Sequence, residues 1–155
     1  SVYGFRSRTF TPPAQKLHAS LEDFVHSRGI EAIDKPFFGL QPTGKGRGRQ
    51  QINFLQSPSK RRAGTLVRNA VFEPTNTTVS DPGGQALRQI EAAFRWKKPA
   101  IVSSHRVNYS GHIDPKHRRR GLEKLDALLK GITQRWPDAR FITADELVNL
   151  MKAPA

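Results

Sequence analysis

The sequence predicts an α/β fold built from parallel βα units, and three observations carry that reading. Short apolar or β-branched runs alternate along the chain with segments of helical period, which is the signature of strand–helix–strand units. The run Ala100 to Ser104 follows Pro99 and is apolar without alternation, as in a strand buried on both faces. Two helix starts, at Asp81-Pro82 and Thr143-Ala144-Asp145-Glu146, carry capping chemistry just before an apolar stripe. Four or five strands of this kind form an open sheet or part of a closed barrel.

Taken in order, Val2 to Phe10 reads as an opening strand. Thr11 stands as an N-cap with Pro12 at the first helical position, and Leu17, Leu21, Phe24 and Val25 recur at helical spacing up to the stop at Gly29. Ile30 to Ile33 is a short second strand. Between Asp34 and Ala63 the pattern dissolves under Pro36, Pro42 and Pro58 and the low-complexity run Gly44 to Arg49. This predicts a long basic excursion, with one strand at Gln51 to Leu55. Leu66 to Phe72 is a third strand ending at Glu73-Pro74. A helix after Asp81 presents Leu87, Ile90, Ala93 and Phe94 on one face. The buried strand Ala100 to Ser104 ends at His105, and Arg106 to Arg120 is a basic loop. Gly121 to Trp136 is the clearest helix, with Leu122, Leu125, Leu128, Leu129, Ile132 and Trp136 in one stripe. A last strand at Arg140 to Ile142 precedes the helix opened by the capping box at Thr143, with Leu147 and Leu150 facing inward.

A length of 155 residues fits one domain. Lys and Arg number 26 against 13 acidic residues, a formal charge of +13 that attracts polyanions such as nucleic acid, acidic glycan or anionic lipid. The absence of cysteine excludes disulfides and thiolate metal sites. No apolar run approaches the roughly 18 residues of a membrane span. The chain opens at Ser1 directly with strand-like sequence, which leads us to expect a fragment of a larger chain.

In parallel βα architectures chemistry gathers where strands end and loops begin. His105 follows a buried strand directly, where an imidazole can act as general acid or base near neutral pH or simply be satisfied at the sheet rim. Arg106, Asn108 and Tyr109 in the next loop offer donors, an amide and an aromatic face suited to a sugar ring or a phosphate. Arg68, Asn69 and Glu73 lie on both faces of the third strand, and a charge within a buried sheet requires a site mouth or a solvated edge. His112, Asp114 and His117 form a local cluster of possible metal donors, but the surrounding Lys and Arg repel a cation. The stretch Lys45 to Arg68 holds seven Lys or Arg and no acidic residue, and with Phe54 it could meet nucleic acid. No G-x-S-x-G, phosphate-binding P-loop or dinucleotide fingerprint is present.

The segments Lys98 to Tyr109, Gly121 to Leu129 and Trp136 to Leu147, together with Val67-Arg68-Asn69-Ala70-Val71-Phe72-Glu73-Pro74, resemble the end of polysaccharide deacetylase-like (NodB-homology) proteins. Phe10-Thr11-Pro12-Pro13 stands where that family has a groove-lining loop. The resemblance implies the second half of an irregular (β/α) barrel and a metal-dependent removal of acetyl groups from N-acetylated sugars. It gives His105 the place of the proton donor to the leaving amine, and it lines the sugar groove with the loop at Thr11, Pro12 and Pro13; Arg68, Asn69, Glu73, Arg106, Asn108 and Tyr109, read from their strand ends and loop, are the further candidates for holding the substrate. It implies a zinc-like divalent metal whose ligands, an aspartate and an H-x-x-x-H pair, match no residue of this chain. It also favours a cell-envelope or secreted setting. Three readings follow: a deacetylase-like hydrolase whose isolated fragment is inactive, a non-catalytic binding module for an anionic polymer, and a structural half that self-associates or pairs with a missing N-terminal half.

Overall fold

A computed structural model describes residues 4, 6–44 and 46–152. The chain divides into two compact units. One runs through Val67 and resumes at Phe141, and the other is Arg68–Arg140. Both are mixed α/β with a parallel strand pair, as the alternation of periods requires. Among the described residues the sheets are short and open, and no barrel closes. No helix among the described residues is long and apolar enough to cross a membrane.

In the first unit, β1 (Thr9–Phe10), β2 (Ala32–Pro36) and β5 (Gly64–Arg68) form one sheet in the order β1-β2-β5. β1 and β2 are parallel, with Thr9 opposite Ala32 and Phe10 opposite Ile33. The opening strand expected from Val2 is thus seen at Thr9–Phe10, while Val2, Tyr3 and Phe5 lie outside the described residues. Ala32, Ile33, Leu66 and Val67 are buried, as are Leu147 and Val148 of α4 (Ala144–Lys152). The capping box that opens α4 is formed in both directions: Thr143 donates its N–H to Glu146 Oε2 at 2.7 Å, and Glu146 donates its N–H to Thr143 Oγ1 at 3.2 Å. The strand expected at Arg140 to Ile142 is absent, and those residues run unpaired into the cap.

The helix expected from Thr11 does not begin there. Pro13 bars the preceding residue from helical backbone, and Pro12 is accordingly extended at φ −63°, ψ 150°. Ala14 and Gln15 then take left-handed φ values of 49° and 53°, so a single 3-10 turn (Pro13–Gln15) replaces the first helical turns. A true helix, α1 (Glu22–Ser27), follows only after a second 3-10 turn, and it leaves Leu21 and Phe24 exposed.

The excursion expected between Asp34 and Ala63 is in part regular. β3 (Phe38–Gly44) and β4 (Arg47–Ile52) form an antiparallel hairpin, with Phe38 opposite Ile52 and Gln41 opposite Arg49. Gly44 and Gly46 hold φ of 88° and 70° at its turn, a backbone region open chiefly to glycine. Paired residues share a face, so Phe38, Leu40 and Ile52 lie on one side and Gln41, Arg49 and Gln51 on the other. The expected strand at Gln51 to Leu55 is therefore the end of β4 followed by irregular chain.

In the second unit, β6 (Ala70–Val71), α2 (Pro82–Arg95) and β7 (Val102–Ser103) make a βαβ unit. The two strands are parallel, with Ala70 opposite Val102 and Val71 opposite Ser103. The single strand expected from Leu66 to Phe72 breaks at Asn69. Its side chain accepts the Ile101 N–H at 2.8 Å and donates to the Pro99 carbonyl at 2.9 Å, so the chain leaves one sheet and joins another there. α3 (Pro115–Arg135) starts six residues before the expected Gly121, because Asp114 caps the Lys116 N–H at 2.9 Å and Pro115 takes the first position. Ala70, Phe72, Ala86, Ile90, Leu128 and Ile132 form the core, and Trp136 packs edge-on against Phe94 at 5.1 Å. Each large apolar side chain in that core contributes roughly 1.5–3 kcal/mol.

Candidate functional site

The parallel register fixes what meets at the strand ends. Val71 lies opposite Ser103, so two residues further on Glu73 and His105 emerge side by side. Phe72, buried and donating its N–H to the Ser103 carbonyl at 2.8 Å, holds the first of these exits in place. A 3-10 turn, Arg106–Tyr109, begins directly after His105 and turns Asn108 inward.

Glu73 is the hub. Its Oε1 accepts from the His105 backbone N–H at 3.2 Å and from His105 Nδ1 at 2.7 Å. Its Oε2 accepts from Asn108 Nδ2 at 2.6 Å. Asn108 is only 2% exposed and spends its remaining capacity locally. Its Nδ2 also donates to the His105 carbonyl at 2.8 Å, and its Oδ1 accepts from the Thr75 hydroxyl at 2.6 Å and the Thr75 N–H at 3.3 Å. Lys124 of α3 donates to the Pro74 carbonyl at 2.8 Å. The carboxylate is thus fixed from the end of β7 and from the 3-10 turn, and the helix holds the backbone of the residue that follows Glu73.

His105 is different in kind. Its side chain is 71% exposed, against 20% for Glu73. A carboxylate oxygen at hydrogen-bond distance places a proton on Nδ1, which leaves Nε2 as the open nitrogen. This is the arrangement in which a carboxylate orients an imidazole for proton transfer.

The other sequence candidates divide. Tyr109 and Ser104 share a hydrogen bond at 2.7 Å between their hydroxyls, one residue on either side of the His105–Asn108 segment, and Arg106 is exposed on the same turn. Arg68 donates to the Ser103 hydroxyl at 3.2 Å. Asn69, spent on the Pro99 and Ile101 backbone, is not brought to the Glu73 cluster. Thr11 and Pro12 belong to the first unit, where the Thr11 hydroxyl donates to Asp34 Oδ2 at 3.2 Å and Pro12 is buried. Within the His112–Asp114–His117 run, Asp114 caps α3 and His117 Nε2 bonds the Val107 carbonyl at 3.1 Å.

Three contributors were not singled out from sequence. Thr75 and Lys124 complete the hydrogen bonding, and Gly121 lets α3 approach the turn. A Cβ at Gly121 would lie 2.0 Å from the Asn108 carbonyl oxygen. A glycine inside a strongly amphipathic helix was the available signal.

The donor set does not fit a metal centre. No group of three or more His, Cys, Asp or Glu among the described residues could hold a metal ion. At the hub the imidazole Nδ1 and the Asn108 amide both turn N–H groups toward the carboxylate. No family model, curated protein or solved structure matches the chain.

Proposed function

We propose that this chain is part of a carbohydrate-active hydrolase resembling polysaccharide deacetylases, in which His105 is the proton donor to the leaving group. The observation that carries the reading is the Glu73–His105 pair at the ends of two parallel strands, with Nδ1 taken by the carboxylate and Nε2 turned outward. In the reaction, water adds its oxygen to the acetamide carbonyl and gives up a proton, Nε2 of His105 carries that proton as part of an imidazolium, the C–N bond breaks, and the Nε2 proton passes to the departing nitrogen to give acetate and a free amine, returning the ring to its Nδ1–H form. Glu73 orients the ring and stabilises the imidazolium, and Asn108 holds Glu73. The group that activates the water has no counterpart among the residues of this chain, and the resemblance assigns it to the other half of a (β/α) barrel. The same resemblance makes the present strands the second half of that barrel.

The test is acetate release from N-acetylglucosamine oligomers by the full-length protein. His105→Ala is expected to lower turnover by about 10²–10⁴-fold, and Glu73→Gln to lower it in the same direction while leaving KM near its original value. An unchanged rate in His105→Ala removes the histidine from the mechanism.

A second reading, a non-catalytic module for an anionic polymer, is favoured by the charge of +13. It predicts affinity that falls steeply with salt and does not depend on His105.

A further inference from the structure

The densest run of basic residues in the second unit opens α3. The first two turns of α3 carry Lys116, His117, Arg118, Arg119 and Arg120, with no acid in the first turn, and the four Lys and Arg side chains are exposed. This is the positive end of the helix dipole, where cations are opposed and anions are favoured. Relief from within the chain is slight. Asp114 is engaged as the cap through Oδ1 and stands 3.8 Å from Arg120 through Oδ2, and Glu123 is the next acid along the helix. A cluster held against its own helix dipole is suited to a negatively charged ligand.

The cluster is also fastened to the Glu73–His105 pair. Gly121 lies against the Asn108 carbonyl so closely that no side chain fits between them. His117 bonds the Val107 carbonyl at 3.1 Å. A Cβ at Gly111 would lie 2.8 Å from Arg118 Cβ, so the Arg118 stem packs on the loop that follows the turn. Val107 and Asn108 are two and three residues from His105, and Arg106 adds a further exposed cation between them.

We infer that the first turns of α3, with Arg106, form an anion-binding subsite beside His105, and that the sugar polymer taken there is acidic, bearing uronate or sulfate groups. The inference rests on the carbohydrate reading of the Glu73–His105 pair. A nucleic acid is the weaker match because its bases require aromatic faces to stack on. In the second unit, Phe94 and Trp136 pack edge-to-face against each other, and Tyr109 is half-buried and bonded to Ser104. Trp96 is exposed, but it follows α2, which returns the chain from the C-terminal end of β6 to the start of β7 and so ends at the opposite edge of the strands.

The experiment measures binding of three labelled probes by fluorescence anisotropy: an oligogalacturonate, a neutral chito-oligosaccharide of the same length, and single-stranded DNA of the same charge. The oligogalacturonate is expected to bind tightest, with affinity that falls steeply as salt rises. The triple variant Arg118→Gln, Arg119→Gln, Arg120→Gln is expected to weaken it at least about tenfold and to flatten the salt dependence. Lys130→Gln with Arg135→Gln, at the other end of the same helix, is expected to leave it unchanged. Glutamine keeps the helix propensity of arginine, and an unaltered urea midpoint certifies the fold. An unaffected triple variant, equal binding of the neutral oligomer, or tighter binding of DNA each overturns the inference. His105→Ala separates it from the catalytic reading. Acidic-sugar binding with no turnover on any acetylated sugar sinks only the catalytic reading. His105-dependent turnover with no preference for acidic sugars sinks only this one.

Discussion

Gly121→Ala sets two effects of opposite sign against each other. Helix propensity alone makes alanine better than glycine in a helix interior by about 0.8–1 kcal/mol. The structure says otherwise, because the new Cβ would sit 2.0 Å from the Asn108 carbonyl oxygen and 3.0 Å from its carbon. The obstacle is backbone and cannot rotate away, so α3 and the 3-10 turn must separate by at least about 1 Å. Overpacking of this kind costs about 1–3 kcal/mol, and a backbone obstacle belongs at the upper end. The net expectation is a loss of about 1–2 kcal/mol. Gly131→Ala in the same helix is the control: its Cβ meets Leu87 Cδ1 at 3.2 Å, the far end of a flexible side chain, so the propensity gain is expected to survive. Both tryptophans, Trp96 and Trp136, lie in the Arg68–Arg140 unit, so urea unfolding followed by tryptophan fluorescence reports on this unit alone. With a slope of about 1 kcal/mol per molar for so small a unit, the midpoint of Gly121→Ala should fall by roughly 1–2 M while that of Gly131→Ala holds or rises. Equal behaviour of the two variants would refute the close approach, and with it the docking of the basic turns beside His105.

Asp81→Ala removes the side chain that accepts the Gly84 N–H at 2.8 Å at the start of α2. It should cost about 1 kcal/mol in the same assay, with Asp81→Asn nearly neutral; an equal loss in both variants would count against the cap. In the first unit, hydrogen bonds from Arg8 and then Lys152 hold the Glu31 carboxyl below the usual carboxylate range. A depressed folded-state value gives stability that is present above the unfolded value of about 4.3 and is lost as pH falls through the folded value. Glu31→Gln should therefore unfold more easily than wild type at neutral pH, with the gap closing as pH drops below about 4. Far-UV circular dichroism follows both units and tryptophan fluorescence only the second, so the part of the dichroism change that fluorescence does not share reads this unit, and a gap there that persists unchanged at pH 3 rejects the assignment.

What was legible in the sequence was whatever buries a face. α2 and the later turns of α3 read correctly because Ile90, Leu128 and Ile132 recur at helical spacing and enter one core. The α4 cap read correctly because Thr143 and Glu146 satisfy each other locally. The β3–β4 hairpin was illegible because Phe38, Leu40 and Ile52 stay exposed on one face while Gly39 and Pro42 dilute the alternation. The broken strand at Asn69 was illegible because its cause is a side chain bonding backbone 30 and 32 residues away. At the site, Glu73 and His105 could be read from strand ends alone. The inward turn of Asn108 could not, because a single 3-10 turn has too few residues for a period to show.

The hydrogen bonding around Glu73 separates a catalytic role for His105 from a structural one. A structural role asks for groups that satisfy Glu73 and close the turn. The His105 backbone N–H and the buried Asn108 amide already do both, reaching one carboxylate oxygen each. The imidazole adds a second donor to Oε1 yet leaves 71% of its surface in solvent, so it contributes little packing. A side chain that the local structure can spare, held by a carboxylate that the strand end and the turn already fix, is placed for its free nitrogen. His105→Gln should therefore leave the urea midpoint within about 0.5 M of wild type, whereas Asn108→Ala, which strips a buried donor from the carboxylate, should lower it by roughly 1–2 M. A midpoint that falls as far for His105→Gln as for Asn108→Ala would return the histidine to the scaffold.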